Sequence, residues 1–168
     1  EALFANTTGT SSNAYGYQAL KSNTTGTQNQ AFGREAMWSN TTGGWNVGIG
    51  NGALWSNVSG NYNTGVGRSA LFSNTGSNNT SLGYHALKAN TTGINNVAVG
   101  STALLSNTTG GNNIALGLAA GDAVTTGSHN ISLGRNAGGV LTTTNWSIFI
   151  GGDSGSGATG TGNIGVGS

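Results

Sequence analysis

Glycine recurs at Gly16, Gly33, Gly50, Gly67, Gly83, Gly100, Gly117, Gly134, Gly151 and Gly167, at gaps of 17 residues broken only by two of 16. A fixed period in this range marks a solenoid or a repetitive fibre, because one such unit cannot bury an apolar face alone and must stack on its neighbours. The repeated phrase is clearest in Asn96-Val-Ala-Val-Gly-Ser-Thr-Ala-Leu-Leu-Ser-Asn-Thr-Thr-Gly-Gly-Asn112. Regular copies occupy residues 1–120. Over 121–168 the apolar phrase degrades, to Gly121-Asp-Ala-Val-Thr-Thr-Gly127, to Gly138-Gly-Val-Leu-Thr-Thr-Thr144 and to the nearly bare Gly155-Ser-Gly-Ala-Thr-Gly-Thr-Gly162. The whole of 1–168 reads as a single repeat domain of about ten 17-residue coils. It starts and stops in nearly the same phase without polar caps, which suggests a segment of a longer chain or a unit that stacks end to end.

Each period has two parts. The first is a short strand of the form Asn-x-small-apolar-Gly, as in Asn46-Val-Gly-Ile-Gly50 and Asn113-Ile-Ala-Leu-Gly117. Residues one and three before the glycine share a face at the strand period of two. The residue between them is Ala, Gly or Ser in every coil through Ser132. An exposed position would tolerate bulk, so the ribbon reads as packed on both faces, one of them covered by neighbouring chains. The second part is an Ala-Leu phrase followed by Asn-Thr-Thr-Gly, whose Asn and Gly favour turns and left-handed backbone. A helix over Gly-x-x-Ala-Leu-x-Ser would be too short to stand alone. The expected fold is therefore all-β, a parallel β-solenoid with coils about 4.8 Å apart.

Stacking places equal residues over one another. Asn29, Asn46, Asn63, Asn79, Asn96, Asn113 and Asn130 are predicted to form a hydrogen-bonded ladder along the axis. The threonines at 7, 24, 41, 75, 91, 108 and 125 form a second predicted row, and Trp38, Trp55 and Phe72 an aromatic stripe.

Composition narrows the class. Charged residues make up 5% of the chain, against roughly 25% in typical soluble domains. Disordered chains are usually charged and proline-rich, whereas this one has no proline, a net charge of +1 and periodic apolar positions. No cysteine is present for disulfides or thiolate metal sites,. No apolar run approaches the ~18 residues of a membrane span, so no membrane insertion is expected. The five basic residues, Lys21, Arg34, Arg68, Lys88 and Arg135, lie in different repeats, and a nucleic-acid binder would need them gathered.

Phrases such as Asn79-Thr-Ser-Leu-Gly-Tyr-His-Ala-Leu-Lys-Ala-Asn-Thr-Thr-Gly93 resemble the repeats of phage and virus tail-fibre proteins. The Asn-x-Ala-x-Gly strand is similar to the head repeats of trimeric autotransporter adhesins, which use shorter periods. The resemblance spans nearly the whole chain. It implies an intertwined or side-by-side homotrimer of parallel β-solenoids, extracellular or on a virion surface, that mediates host or surface attachment. Receptor-contacting residues do not carry over, since no matching site motif is present.

Chemistry finds few candidates. The acids are Glu1, Glu35, Asp122 and Asp153 and the histidines His85 and His129. Asp122 and His129 share a coil, but a surface pair is the simpler reading, and an enzyme is not expected. The Gly-x-Gly phrases lack the strand–helix setting of a dinucleotide site, so no cofactor is expected. Calcium-binding β-rolls need an aspartate in every repeat, so no metal is expected either. The Asn-x-Ser/Thr sequons read as turn and ladder asparagines.

The aromatic stripe Trp38, Trp55 and Phe72 reads first as interior filling or trimer packing. Otherwise it is an exposed ledge for a cell-surface glycan, with Trp45 and Tyr62 as a second ledge and Arg34 and Arg68 as hydrogen-bond donors. The sequence thus points to a structural and adhesive fibre segment whose partners are copies of itself and a glycan. The alternatives are an ice-binding solenoid with Thr/Asn ladders, or a self-polymerising extracellular filament subunit.

Overall fold

A computed structural model describes residues 1–167. The chain is a parallel β-solenoid with one three-residue strand per coil: β1 (Asn13–Tyr15), β2 (Gln30–Phe32), β3 (Val47–Ile49), β4 (Thr64–Val66), β5 (Thr80–Leu82), β6 (Val97–Val99), β7 (Ile114–Leu116), β8 (Ile131–Leu133), β9 (Ile148–Ile150) and β10 (Ile164–Val166). The ten strands pair in chain order as one parallel sheet. The register places equal phases opposite one another, for example Val97 against Ile114 and Val99 against Leu116. The two 16-residue spacings are absorbed outside the strands, because Thr64 still faces Thr80 and Ile148 faces Ile164.

Coil-to-coil hydrogen bonding extends well beyond the strands. Leu20 N–H donates to Ala36 O at 3.0 Å, Thr24 N–H to Thr41 O at 3.0 Å, and Gln28 N–H to Thr10 O at 2.9 Å. The Ala-Leu phrase forms turns, not a helix, closed by bonds such as Asn23 N–H to Leu20 O at 3.2 Å.

The core is built by a left-handed residue that local preference does not suggest. Ala and Leu are neighbours in the chain, yet both are fully buried, as in Ala19-Leu20, Ala70-Leu71 and Ala103-Leu104. Consecutive side chains alternate along extended backbone, so two can point inward only where the backbone breaks that alternation. Leu20, Met37, Leu54, Leu71, Leu87 and Leu104 do so with φ of 49 to 54°. A left-handed non-glycine residue costs roughly 1–2 kcal/mol, which burial of a leucine side chain, worth about 1.5–3 kcal/mol, offsets. The asparagines of Asn-Thr-Thr-Gly, expected to be the left-handed residues, have ordinary backbone; from Asn23 onward they too are buried.

The small strand residue faces the inside of its own coil. A Cβ at Gly48 would lie 2.8 Å from Met37 Cγ, and one at Gly65 3.3 Å from Leu54 Cγ. Within one chain the ribbon is therefore covered on one face only. The flanking residues turn outward: Ile49, Leu82, Leu116 and Ile150 are all exposed.

The coils after residue 120 keep this architecture but exchange the core. Where earlier coils have inward Leu and, three residues later, inward Asn, these have Gly121 with Val124, Gly138 with Leu141, and Gly155 with Ala158. Glycine removes the left-handed cost and the apolar side chain moves three residues along, with Val124 and Leu141 almost fully buried. Phe149 replaces the small strand residue and fills the space beside Gly138 and Gly155.

Candidate functional site

The predicted asparagine ladder forms, and its geometry explains why it is invariant through seven coils. Asn46, Asn63, Asn79, Asn96, Asn113 and Asn130 each donate their backbone N–H to the Oδ1 of the preceding ladder asparagine at 2.9–3.1 Å. From Asn29 to Asn113 the ladder amides donate Nδ2 to a glycine carbonyl of the neighbouring coil, as from Asn29 to Gly43 O at 2.7 Å and from Asn96 to Gly110 O at 2.9 Å, and Asn130 donates to Thr144 O at 2.8 Å. Ser12 and Ser147 stand in for asparagine at the two ends.

A second buried ladder was not anticipated. Asn23, Asn40, Asn57, Asn74, Asn90 and Asn107 donate Nδ2 to the Oδ1 one coil back at 2.6–3.2 Å, beginning on Asn6. It stops where Val124 replaces asparagine, and Asn107 Oδ1 is left buried without a partner. Between them the two ladders bury most of the sequon asparagines; Asn6, Asn78 and Asn145 are not buried.

The threonine row also bonds along the axis. Thr24 Oγ1 donates to Thr41 O at 3.1 Å and Thr91 Oγ1 to Thr108 O at 3.0 Å. These hydroxyls and both asparagine ladders thus bond along the axis of the rod.

The aromatic stripe is neither interior filling nor an open ledge. Trp38, Trp55 and Phe72 are half-buried and stack on one another, with centroids 4.9 and 5.3 Å apart and planes within 9°. Both faces of Trp55 are covered, Lys21 Nζ sits 6.0 Å from the Trp38 ring, and Trp38 Nε1 donates to Gln18 Oε1 at 3.2 Å. Trp45 and Tyr62 form a separate exposed stack at 5.2 Å. Arg34 and Arg68 do not join the tryptophans. Their guanidinium groups lie over Tyr17 and Tyr84, at 5.7 and 6.0 Å, and Arg34 also pairs with Glu35 at 3.1 Å.

Stacked aromatic pairs contribute roughly 0.5–1.5 kcal/mol each beyond area burial. Trp55→Ala, which removes the middle ring, is therefore expected to lower stability by about 2–4 kcal/mol and to abolish the near-ultraviolet dichroism of coupled tryptophans. Thermal melts and near-ultraviolet spectra check both.

Charge is arranged more strictly than the separate repeats suggest. Eight of the nine charged residues stand one, two or five places after a period glycine: Arg34, Arg68 and Arg135 at the first, Glu35 and Asp153 at the second, Lys21, Lys88 and Asp122 at the fifth; Glu1 has the phase of Glu35. In-register stacking gathers them on one edge, where Arg135 pairs with Asp153. On that edge burial, with Lys88 and Arg68 nearby, lowers the pKa of His85. Burial raises that of Asp122 against the opposing pull of backbone N–H bonds. A shallow cavity of about 350 Å³ opens there between Asp122, Asn136 and Asp153, over Gly139. Asp122 and His129 are not partners, since the His129 ring stacks on Trp146 at 3.9 Å. Among the described residues no three metal-ligating side chains converge, and no helix is long and apolar enough to cross a membrane.

The rest of the coil surface carries no charge. On the outward strand face one column runs Asn13, Gln30, Val47, Thr64, Thr80, Val97, Ile114, Ile131, Ile148, Ile164 and the other Tyr15, Phe32, Ile49, Val66, Leu82, Val99, Leu116, Leu133, Ile150, Val166. From β6 onward both are wholly aliphatic.

No known protein family, no curated protein and no solved structure matches the chain.

Proposed function

We propose that this chain is a structural and adhesive fibre segment, extracellular or on a virion surface, that associates laterally with copies of itself, as a homotrimer, and contacts a host surface. The observation that carries the reading is the outward strand face: an uncharged ribbon, aliphatic from Val97 to Val166, on a rod whose charges all lie along another edge. Solvent-exposed apolar strips of this extent mark association surfaces. A neutral face meets its own copy without like-charge repulsion. The axial ladders suit a shaft, because every coil is tied to the next by side chains as well as backbone. The likeness of the repeats to tail-fibre shafts supports the same assignment. Repetition along the rod would convert weak surface contacts into avidity.

Light scattering after size exclusion tests the assembly. A mass near three times the 16.6 kDa of one chain is expected. A clean monomer would remove the fibre reading, and very large species would favour the polymerising filament. The double substitution Leu116→Lys with Leu133→Lys adds charge to the outward face without touching the core. It is expected to shift the assembly to monomer while leaving the circular dichroism of the coils unchanged.

A further inference from the structure

Flat rings stack at successive levels along the column that contains Trp45 and Tyr62, and again at His129 and Trp146. In the second stack the next level is empty. The residue one coil beyond Trp146 is Gly162, whose N–H donates to Asn145 O at 2.9 Å. A Cβ added at Gly162, or at Gly160 beside it, would meet nothing within 4 Å. Trp146 is 64% exposed, and one of its faces rests on His129 with the planes within 13°. Its other face is turned toward a coil that supplies no side chain at that level. Three other surface rings are more fully engaged: Trp55 lies between two rings, Trp38 between Trp55 and Lys21, and Tyr84 contacts both His85 and Arg68.

We infer that the vacant level over Trp146 is a carbohydrate subsite that takes one neutral pyranose ring as the third member of the His129–Trp146 stack. The dimensions suit a sugar, because the apolar C–H face of a pyranose stacks on an aromatic ring at van der Waals separation and the coil spacing of about 4.8 Å leaves one ring's thickness. The setting is neutral. No Lys, Arg, Asp or Glu occurs in the column of Trp146 or in the columns one residue to either side. Uncharged hydrogen-bonding groups adjoin it in the chain, in Asn145 and Thr161. Asn145 is held by accepting the Ser128 N–H through its Oδ1 at 2.7 Å, which leaves its amide N–H groups for a sugar hydroxyl. The shelf is also preorganised: Trp146 sits at φ 60°, the left-handed conformation shared by residues of this column from Ser11 to His129, and its ring is fixed from behind by His129. The inference rests on the adhesive part of the proposed function and moves the glycan contact away from Trp38, Trp55 and Phe72.

Saturation-transfer NMR on the whole chain with chitotriose and maltotriose tests it. At least one of these probes is expected to take saturation through its ring C–H protons, with an affinity in the range of about 1–10 mM. Trp146→Ala should abolish the transfer, and Trp45→Ala should leave it intact. Gly162→Tyr, which copies the Trp45–Tyr62 arrangement and fills the vacant level while leaving Trp146 in place, should weaken binding at least about tenfold. Binding that survives both Trp146→Ala and Gly162→Tyr would overturn the subsite while leaving the adhesive reading intact. Failure of both sugars to bind the unaltered chain would overturn the subsite and the glycan contact together, whereas the fibre assignment stands or falls separately on the mass of the assembly.

Discussion

Gly100→Val is expected to leave no folded rod. Gly100 closes β6 with φ of 130°, a conformation that side-chain-bearing residues rarely adopt,. Any Cβ built there overlaps the carbonyl oxygen of Gly117 in the next coil. That atom is backbone and cannot rotate away, and the Gly100 N–H itself donates to Leu82 O at 2.8 Å, which holds the level of the coil. Backbone strain of this kind costs about 1–3 kcal/mol. Forcing the coils apart adds more, so the total should exceed about 4 kcal/mol, a large share of a typical domain's stability. Even Gly100→Ala should be severe, since its single methyl makes the same overlap. Gly157 is the matched control. It lies in the last coil, without a left-handed φ, and a Cβ there meets nothing within 4 Å, so Gly157→Ala should change stability by no more than about 0.5 kcal/mol,. Circular dichroism melts of the three variants separate these cases. A Gly100→Ala protein as stable as Gly157→Ala would mean that the coils are not stacked as closely as the period glycines imply.

Much of this fold is legible in the sequence because translation along the axis puts equals over equals. The period glycines, the ladder at Asn29 to Asn130 and the Trp38–Trp55–Phe72 stack all follow from phase alone. What phase does not reveal is direction. A period of two says that Val97 and Val99 share a face, not that the face is outward, and Ala98 is small because it meets the coil's own core. Local preference misleads at the turns. Asn and Gly are the usual left-handed residues, yet here closure of a 17-residue coil demands two adjacent inward side chains, and Leu takes the left-handed position. The charged edge is present in the phases of Arg34, Arg68 and Arg135, but only in-register stacking turns equal phase into proximity. Trp146 was hidden for the opposite reason. Its significance lies in the glycine above it, in a stretch whose sequence looks merely degenerate.

That degenerate stretch supplies a strong test of the core. Asn90→Val alone should be highly destabilising. Asn90 Nδ2 donates to Asn74 Oδ1 at 2.6 Å and Gly93 O at 3.0 Å, and its Oδ1 accepts from Asn107 Nδ2 at 2.8 Å, all inside the rod. Valine makes none of these bonds. A buried polar group left without its partner costs about 1–3 kcal/mol, so the single change should cost about 3–5 kcal/mol. Leu87→Gly alone removes a fully buried side chain while relieving its left-handed φ of 51°. With the strain relief set against the cavity, about 2–4 kcal/mol is expected. The double variant reproduces the pairing that the chain itself uses at Gly121 and Val124, where the apolar group stands three residues after the glycine. The two substitutions should therefore couple, with the double variant more stable than the sum of the single effects by about 1–3 kcal/mol. The recovery should be incomplete, because Asn107 Nδ2 loses its axial acceptor even when the cavity is refilled; the wild-type ladder ends with a similar defect at Asn107 Oδ1. Denaturant melts of the four proteins give the coupling directly. Simple additivity would mean that the Leu-to-Gly and Asn-to-Val changes after residue 120 are independent drift. Positive coupling would identify two interchangeable ways of filling the same coil, joined at the seam between Asn107 and Val124.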